Sequence, residues 1–401
     1  MSDTPETSSA ARTVRRAVVL GGAGSVASHG REALGGQGGE VVCVDDLSTG
    51  RVRNLDALRD EPRFRFVEGD VSAGIDVPDP ERVDLVLHLA APAAPVDSRR
   101  LPLETRLVGA AGTRHGRELA ERAGARFVLA STSEVYGDPE VHPQREDYWG
   151  HVNPVGPRSV YDESKRFAEA TTAAYRRSRG VDTGIVRIFN TYGPRMRGHD
   201  GRMVPTFVRQ ALAGEPLTVA GDGSQTRSVC FVDDLVEGIL AFARTDHPGP
   251  VNLGDPTELT VERVARDVLA ATGSDAGIVH VDLPEDGPRR RRPDTSLAER
   301  TLGWRARAPW AAGLARAVAG FRGGGAGAAP GAVGAARGGA AVAAGAPAGG
   351  GPGPAAAAGG PPRRTPPAGA ATPGAPRPRG RPHAGLPDCG GCHTRGTQTA
   401  G

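Results

Sequence analysis

Lysine is almost missing from this chain. Of the 49 basic residues, every one but Lys165 is arginine. GC-rich coding favours arginine wherever either cation serves, so a single surviving lysine is a candidate for work that a guanidinium does badly. A compact ammonium with a tunable pKa is such work; the plain alternative is chance survival on a surface. Cysteine is scarce too. Four in 401 residues make no disulfide framework, and Cys43 and Cys230 sit in apolar, strand-like runs where a buried thiol is expected. No apolar run is long enough for a membrane-spanning helix. The first residues, MSDTPETSSAARTVRR, lack the apolar core of a secretory signal, so the expected compartment is the cytoplasm. From about residue 323 onward large apolar side chains nearly vanish. That stretch of Gly, Ala, Pro and Arg cannot bury enough surface to offset its ordering entropy. It is expected to be a disordered C-terminal tail, either a genuine extension or the product of a frameshift. It carries seven Arg against one acid, Asp388. The net charge of +3 therefore leaves the rest near −3, and the basic pI is no sign of a nucleic-acid partner. Cys389-Gly390-Gly391-Cys392-His393 matches a haem-attachment pattern, but with no fold around it we read chance or incidental metal affinity, and no metal centre is expected.

Apolar runs at 14–20, 41–46, 64–70, 83–91, 125–132 and 184–190 alternate with helix-like stretches at 25–35, 102–123 and 158–179. Strands alternating with helices predict an α/β protein built on a Rossmann-like, doubly wound parallel sheet. Near-continuous apolar strands predict a sheet covered on both faces. After 190 the alternation loosens into loops, with helices predicted at 231–243 and 261–273. The expected organisation is a dinucleotide-binding domain over 13–190, with further elements from about 228–255. A smaller substrate lobe falls mainly within 191–321, followed by the tail over 322–401.

The first strand runs into Gly21-Gly22-Ala23-Gly24-Ser25-Val26-Ala27. Such a turn lets backbone N–H groups approach a pyrophosphate at a helix N-terminus. Strand two ends in Asp45, where a carboxylate binds ribose hydroxyls and repels a 2′-phosphate; this favours NAD over NADP. Strand three ends in Asp70-Val71, placed to meet the adenine. A plain tight turn is the alternative reading. Ala27 stands where a third glycine usually lies, and Gly30 and Gly35 weaken the helix that follows.

Tyr161-Asp162-Glu163-Ser164-Lys165 places a phenol and an ammonium four residues apart, hence on one helix face. A nearby cation lowers a phenol pKa toward the range of a usable base. Upstream, the fifth strand ends in Thr132-Ser133-Glu134, at the strand end where α/β folds place chemistry. Thr132 can hydrogen-bond the hydroxyl that Tyr161 deprotonates.

These motifs, with the runs at 130–166, 187–202, 214–236 and 290–304, resemble an extended short-chain dehydrogenase/reductase of the nucleotide-sugar epimerase/dehydratase type. Within it the likeness is to the UDP-glucuronate decarboxylases, over about 17–320. The resemblance implies Tyr161 as base, assisted by Lys165 and Thr132. It implies NAD held by Gly21, Gly24, Ser25, Val26, Ala27, Asp45, Asp46, Leu47, Ser48, Thr49, Gly50, Asp70, Val71, Leu89, Ala91, Thr191 and Arg202. Asn190 and Arg291 would contact the nucleotide diphosphate, Tyr175 would lie on the substrate side, and Arg227 would face the sugar carboxylate or the phosphates. A homodimer pairing the 102–123 and 158–179 helices is also implied. A 4,6-dehydratase typically carries Asp-Glu after the threonine and a 4-epimerase usually lacks the Glu, so Ser133-Glu134 resembles the decarboxylase pattern. Departures stand at Ser98, Arg106 and Gly109. They leave open altered sugar specificity, or an NAD-binding relative with little turnover.

Overall fold

The computed structural model describes residues 12–283 and 290–323. The chain from 324 on, with its expected disorder and the Cys389–His393 motif, lies outside the described residues. The first half reads β1 (Arg16–Leu20), α1 (Ser25–Gly36), β2 (Glu40–Asp45), β3 (Phe64–Glu68), β4 (Leu85–His88), α2 (Pro95–Arg100), α3 (Pro102–Leu107), α4 (Thr113–Ala123), β5 (Arg126–Thr132), α5 (Ser159–Arg179) and β6 (Thr183–Ile188). The second half reads β7 (Thr191–Tyr192), α6 (Met203–Leu212), β8 (Leu217–Ala220), β9 (Thr226–Ser228), β10 (Cys230–Phe231), α7 (Val232–Ala243), β11 (Val251–Leu253), β12 (Glu258–Thr260), α8 (Val261–Thr272), β13 (Ile278–Val281), α9 (Ser296–Leu302) and α10 (Trp310–Gly323).

Seven strands form one sheet in the order β11-β6-β5-β4-β1-β2-β3, and every neighbouring pair is parallel. The strand order reverses between β1 and β4, which is where such sheets open a ligand crevice at their C-terminal ends. The apolar runs are near-continuous because both faces are covered. Val19, Cys43, Leu87 and Val128 join the core on one face. Their neighbours Val18, Val42, Val86 and Phe127 join the core on the other, as the two-residue period of a strand requires. Late in the chain α7 packs on α1 and β11 joins β6. The remaining elements make three small sheets, β10-β7, β12-β9 and β13-β8, with α6 and α8 packed together beside them. Among the described residues no helix is long and apolar enough to cross a membrane.

One predicted element differs in detail. The 102–123 helix is α3, a π-helical turn over Val108–Gly112, and α4. At its centre Gly109 lies so close to α5 that an added Cβ would stand 2.9 Å from the Ser164 carbonyl oxygen. A π turn widens the helix locally, and here it packs against the helix that carries Tyr161 and Lys165.

Candidate active site

The crevice at the strand ends is a cavity of about 570 Å³. Its first wall is the turn from β1 to α1. Gly21 has φ +79°, and a Cβ there would meet the Ala90 backbone at 2.6 Å, so only glycine fits. Gly24 caps α1 in an extended conformation with no side-chain cap, so no side chain competes for the N–H groups of the first turn. Gly21, Gly24, Ser25, Val26 and Ala27 all line the cavity. This bare cradle suits a pyrophosphate. Asp45 is buried behind it and braces the turn, accepting from the Ala23 N–H (2.9 Å) and the Leu47 N–H (2.8 Å). Burial pushes its pKa up, against those two hydrogen bonds.

The second wall carries the phenol and the ammonium. Lys165 is buried and donates to the Ala130 carbonyl at 2.7 Å. Burial brings its pKa down to about 8, with the Glu169 carboxylate opposing. Tyr161 hydrogen-bonds Thr132. The expectation of a lowered phenol pKa is corrected here. Burial first, and then the Glu134 charge, push Tyr161 up; Thr132 and Arg202 pull the other way. The reason is geometric: the phenol is desolvated near the Glu134 carboxylate, while the Lys165 ammonium is bonded to the Ala130 carbonyl of β5.

The third wall is ionic. Arg158 and Arg291 both bind Glu134, the latter through both of its Nη atoms. Burial alone would raise the Glu134 pKa, but the two guanidiniums outweigh it and hold the group below the ordinary carboxylate range. Arg227 lines the same pocket, its Nη1 donating to the Thr226 carbonyl (2.7 Å). Burial, and then Arg291, lower its pKa to about 10.

Most residues expected at the site come together. Thr49, Leu89, Ala91, Thr132, Ser133, Glu134, Tyr161, Lys165, Asn190, Thr191, Arg202, Arg227 and Arg291 line this one cavity. Others do not. Tyr175 is on α5 but its ring lies under Arg117 and Arg179, 4.0 and 5.3 Å from the guanidinium carbons. Fourteen residues of helix separate it from Tyr161, roughly 21 Å. The Asp70 carboxylate is exposed and accepts from the Ser72 N–H and hydroxyl, and Val71 is packed into the core. Asp46, Leu47, Ser48 and Gly50 form the turn behind Asp45 rather than the lining, with Asp46 bonded to Ser48. Sequence reasoning missed Arg158 and Asp162, which line the cavity beside Tyr161. It also missed Asp97, buried on α2 and paired with Arg197. Proximity to Tyr161 in the sequence was the available signal for the first two.

The sequence profile of the NAD dependent epimerase/dehydratase family matches residues 17–254. The chain belongs to that family. Its cofactor is NAD, and the glycine cradle fits that cofactor's pyrophosphate. Among curated relatives, UDP-glucuronic acid decarboxylase 1 of Arabidopsis thaliana is 48% identical over 77% of this chain and 70% of its own. Two solved members of the same fold are similar. A dTDP-glucose 4,6-dehydratase from Streptomyces venezuelae with NAD bound has TM-score 0.69 and 31% identity, over 77% of this chain and 97% of that one. A UDP-glucose 4-epimerase from Thermotoga maritima with UDP-glucose has TM-score 0.70 and 28% identity, over 77% and 99%.

Proposed function

We propose that this chain converts UDP-glucuronate to UDP-xylose and CO₂ through a 4-keto intermediate, with NAD recycled in the site. The carrying observation is the Ser133-Glu134 pair with Glu134 clamped by Arg158 and Arg291. Removing water across C5–C6 needs an acid beside a base. Ser133 is no acid, and Glu134 is held ionised. Three guanidiniums, Arg158, Arg227 and Arg291, crowd the same wall, and their excess positive charge suits a substrate bearing both a carboxylate and a diphosphate.

NAD, held by the glycine cradle, supplies reversible oxidation at C4 of the sugar. Tyr161 takes the C4 hydroxyl proton in its phenolate form, which burial disfavours and which the positive charge of a bound NAD, with that of Lys165, would favour; Thr132 orients that hydroxyl. The 4-ketone lies β to the C5 carboxylate and accepts the electron pair as CO₂ leaves. Arg227 positions that carboxylate, and Asn190 and Arg291 lie on the diphosphate side. Ser98, buried at the cavity edge with its hydroxyl on the Pro95 carbonyl, bears on which sugar is accepted. The protein acts in the cytoplasm as a homodimer through α3, α4 and α5, where Leu103, Leu107 and Phe167 are exposed; sedimentation showing only monomer at micromolar concentration would count against the dimer. Product analysis tests the activity. CO₂ and UDP-pentose are expected from UDP-glucuronate, and no 4-keto-6-deoxy sugar from dTDP-glucose; the reverse outcome overturns the reading.

A further inference from the structure

Decarboxylation leaves an unfilled proton requirement. When the C5–carboxylate bond breaks, its electron pair passes into the enolate of the 4-ketone, and C5 must then form a new bond to hydrogen. The proton that Tyr161 takes from the C4 hydroxyl returns to the same oxygen when the ketone is reduced. C5 therefore draws a second proton, one per turnover, ultimately from water. This inference rests on the decarboxylase reading given above.

Most acids in the cavity are unsuited to that step. Glu134 is held ionised by two guanidiniums. The Lys165 ammonium is committed to the Ala130 carbonyl and to the charge beside Tyr161. The Ser133 hydroxyl is too weak an acid. We propose that Asp162 is the group that delivers a proton to C5.

Asp162 sits in the first turn of α5, next to Tyr161, and lines the cavity. It is 5% exposed, and its buried Oδ1 makes no hydrogen bond among the described residues. An anion with an unpartnered buried oxygen is costly; a carboxylic acid facing a substrate is not. Charged groups stand on several elements packed against α5: Asp97 on α2, Glu104 and Arg106 on α3, and Glu134 on the turn after β5. Those that move Asp162 are Glu134 and Glu163, which raise its pKa, and Arg158 and Arg291, which lower it. Burial is the largest influence, and the outcome is about 7. The donor form is therefore present below that pH and lost as pH rises through it. An incoming carboxylate and diphosphate add negative charge and favour the protonated form further.

A single-turnover experiment on the NAD-loaded full chain with UDP-glucuronate tests this, following the near-ultraviolet band of the reduced cofactor and the CO₂ released. In the native protein the band should rise and decay, with the decay slowing above about pH 7. In Asp162→Asn the band should still rise and CO₂ still leave, but the decay should slow by about 100-fold and lose its pH dependence; Asp162→Glu should restore both. A purely structural role at the start of α5 would lower the melting temperature and leave the decay alone. Native-rate decay in Asp162→Asn overturns the proposal, and so does a folded variant in which the band never rises. Should Asp162→Asn not fold, a native decay rate that is flat across pH 7 overturns it equally. Failure of the decarboxylase reading looks different, since the native protein itself would then release no CO₂, and the proposal falls with it.

Discussion

Replacing Glu169 by glutamine isolates the electrostatics of the chain's one lysine. Tyr161, Lys165 and Glu169 succeed one another at four-residue spacing along α5, so they share a face. Glu169 is gripped by Arg187 through Nε and Nη2 at 2.9 and 2.8 Å, and accepts from the Ser131 hydroxyl at 2.6 Å. Burial draws Lys165 down to about 8, and Glu169 is the charge that opposes a further fall. An opposite charge at close range moves a pKa by roughly 1 to 3, so without it the Lys165 pKa should drop to about 7 or lower. At pH 7 the protonated fraction then falls from about nine-tenths to about half or less. Turnover at neutral pH should fall at least in proportion, with the basic limb of the pH profile moving down and partial recovery in acid. Arg187 would also lose its anionic partner, at a cost of roughly 1.5–3 kcal/mol in stability. Because Lys165 is the sole lysine, protein grown with ε-¹³C lysine gives a single side-chain resonance whose titration is read directly by NMR. If that resonance titrates at the same pH in Glu169→Gln as in the native chain, the argument for Glu169 is wrong.

Tyr161→Phe should cut turnover by roughly 10²–10⁴ while the purified protein still carries NAD, shown by cofactor content beside the CO₂ assay. Ser133→Asp should reduce CO₂ release, because it sets a second anion next to Glu134 and the substrate carboxylate; undiminished release would remove the charge argument for this position. Gly109→Ala should lower the melting temperature, since its Cβ would press on the Ser164 Cβ and carbonyl oxygen at 2.9 Å; overpacking of this kind costs roughly 1–3 kcal/mol.

Local pattern was enough to locate the sheet strands β1 to β6, the glycine turn and the Tyr161–Lys165 face. Strands covered on both sides are apolar at most positions, and a helix repeats its faces every three to four residues; both are written in consecutive residues. The same helical geometry could have removed Tyr175 from the site, since four turns of α5 carry it beyond reach of Tyr161. Other properties are not local. Arg291 reaches Glu134 across 157 positions and Arg158 across 24. No periodicity announces that these two guanidiniums close on one carboxylate, nor that they fix it as an anion. The state of Asp162 is likewise decided by what surrounds it: buried by the fold, beside Glu134, with one oxygen lacking a partner. Lys165 shows the division most plainly. Its solitude in the sequence marked it out, yet its lowered pKa and its bond to the Ala130 carbonyl depend on β5 lying alongside α5. Residue identity and spacing determine which groups can ionise and which face they share. Only the tertiary structure sets their distance and their access to water, and those two quantities decide the charge each one carries.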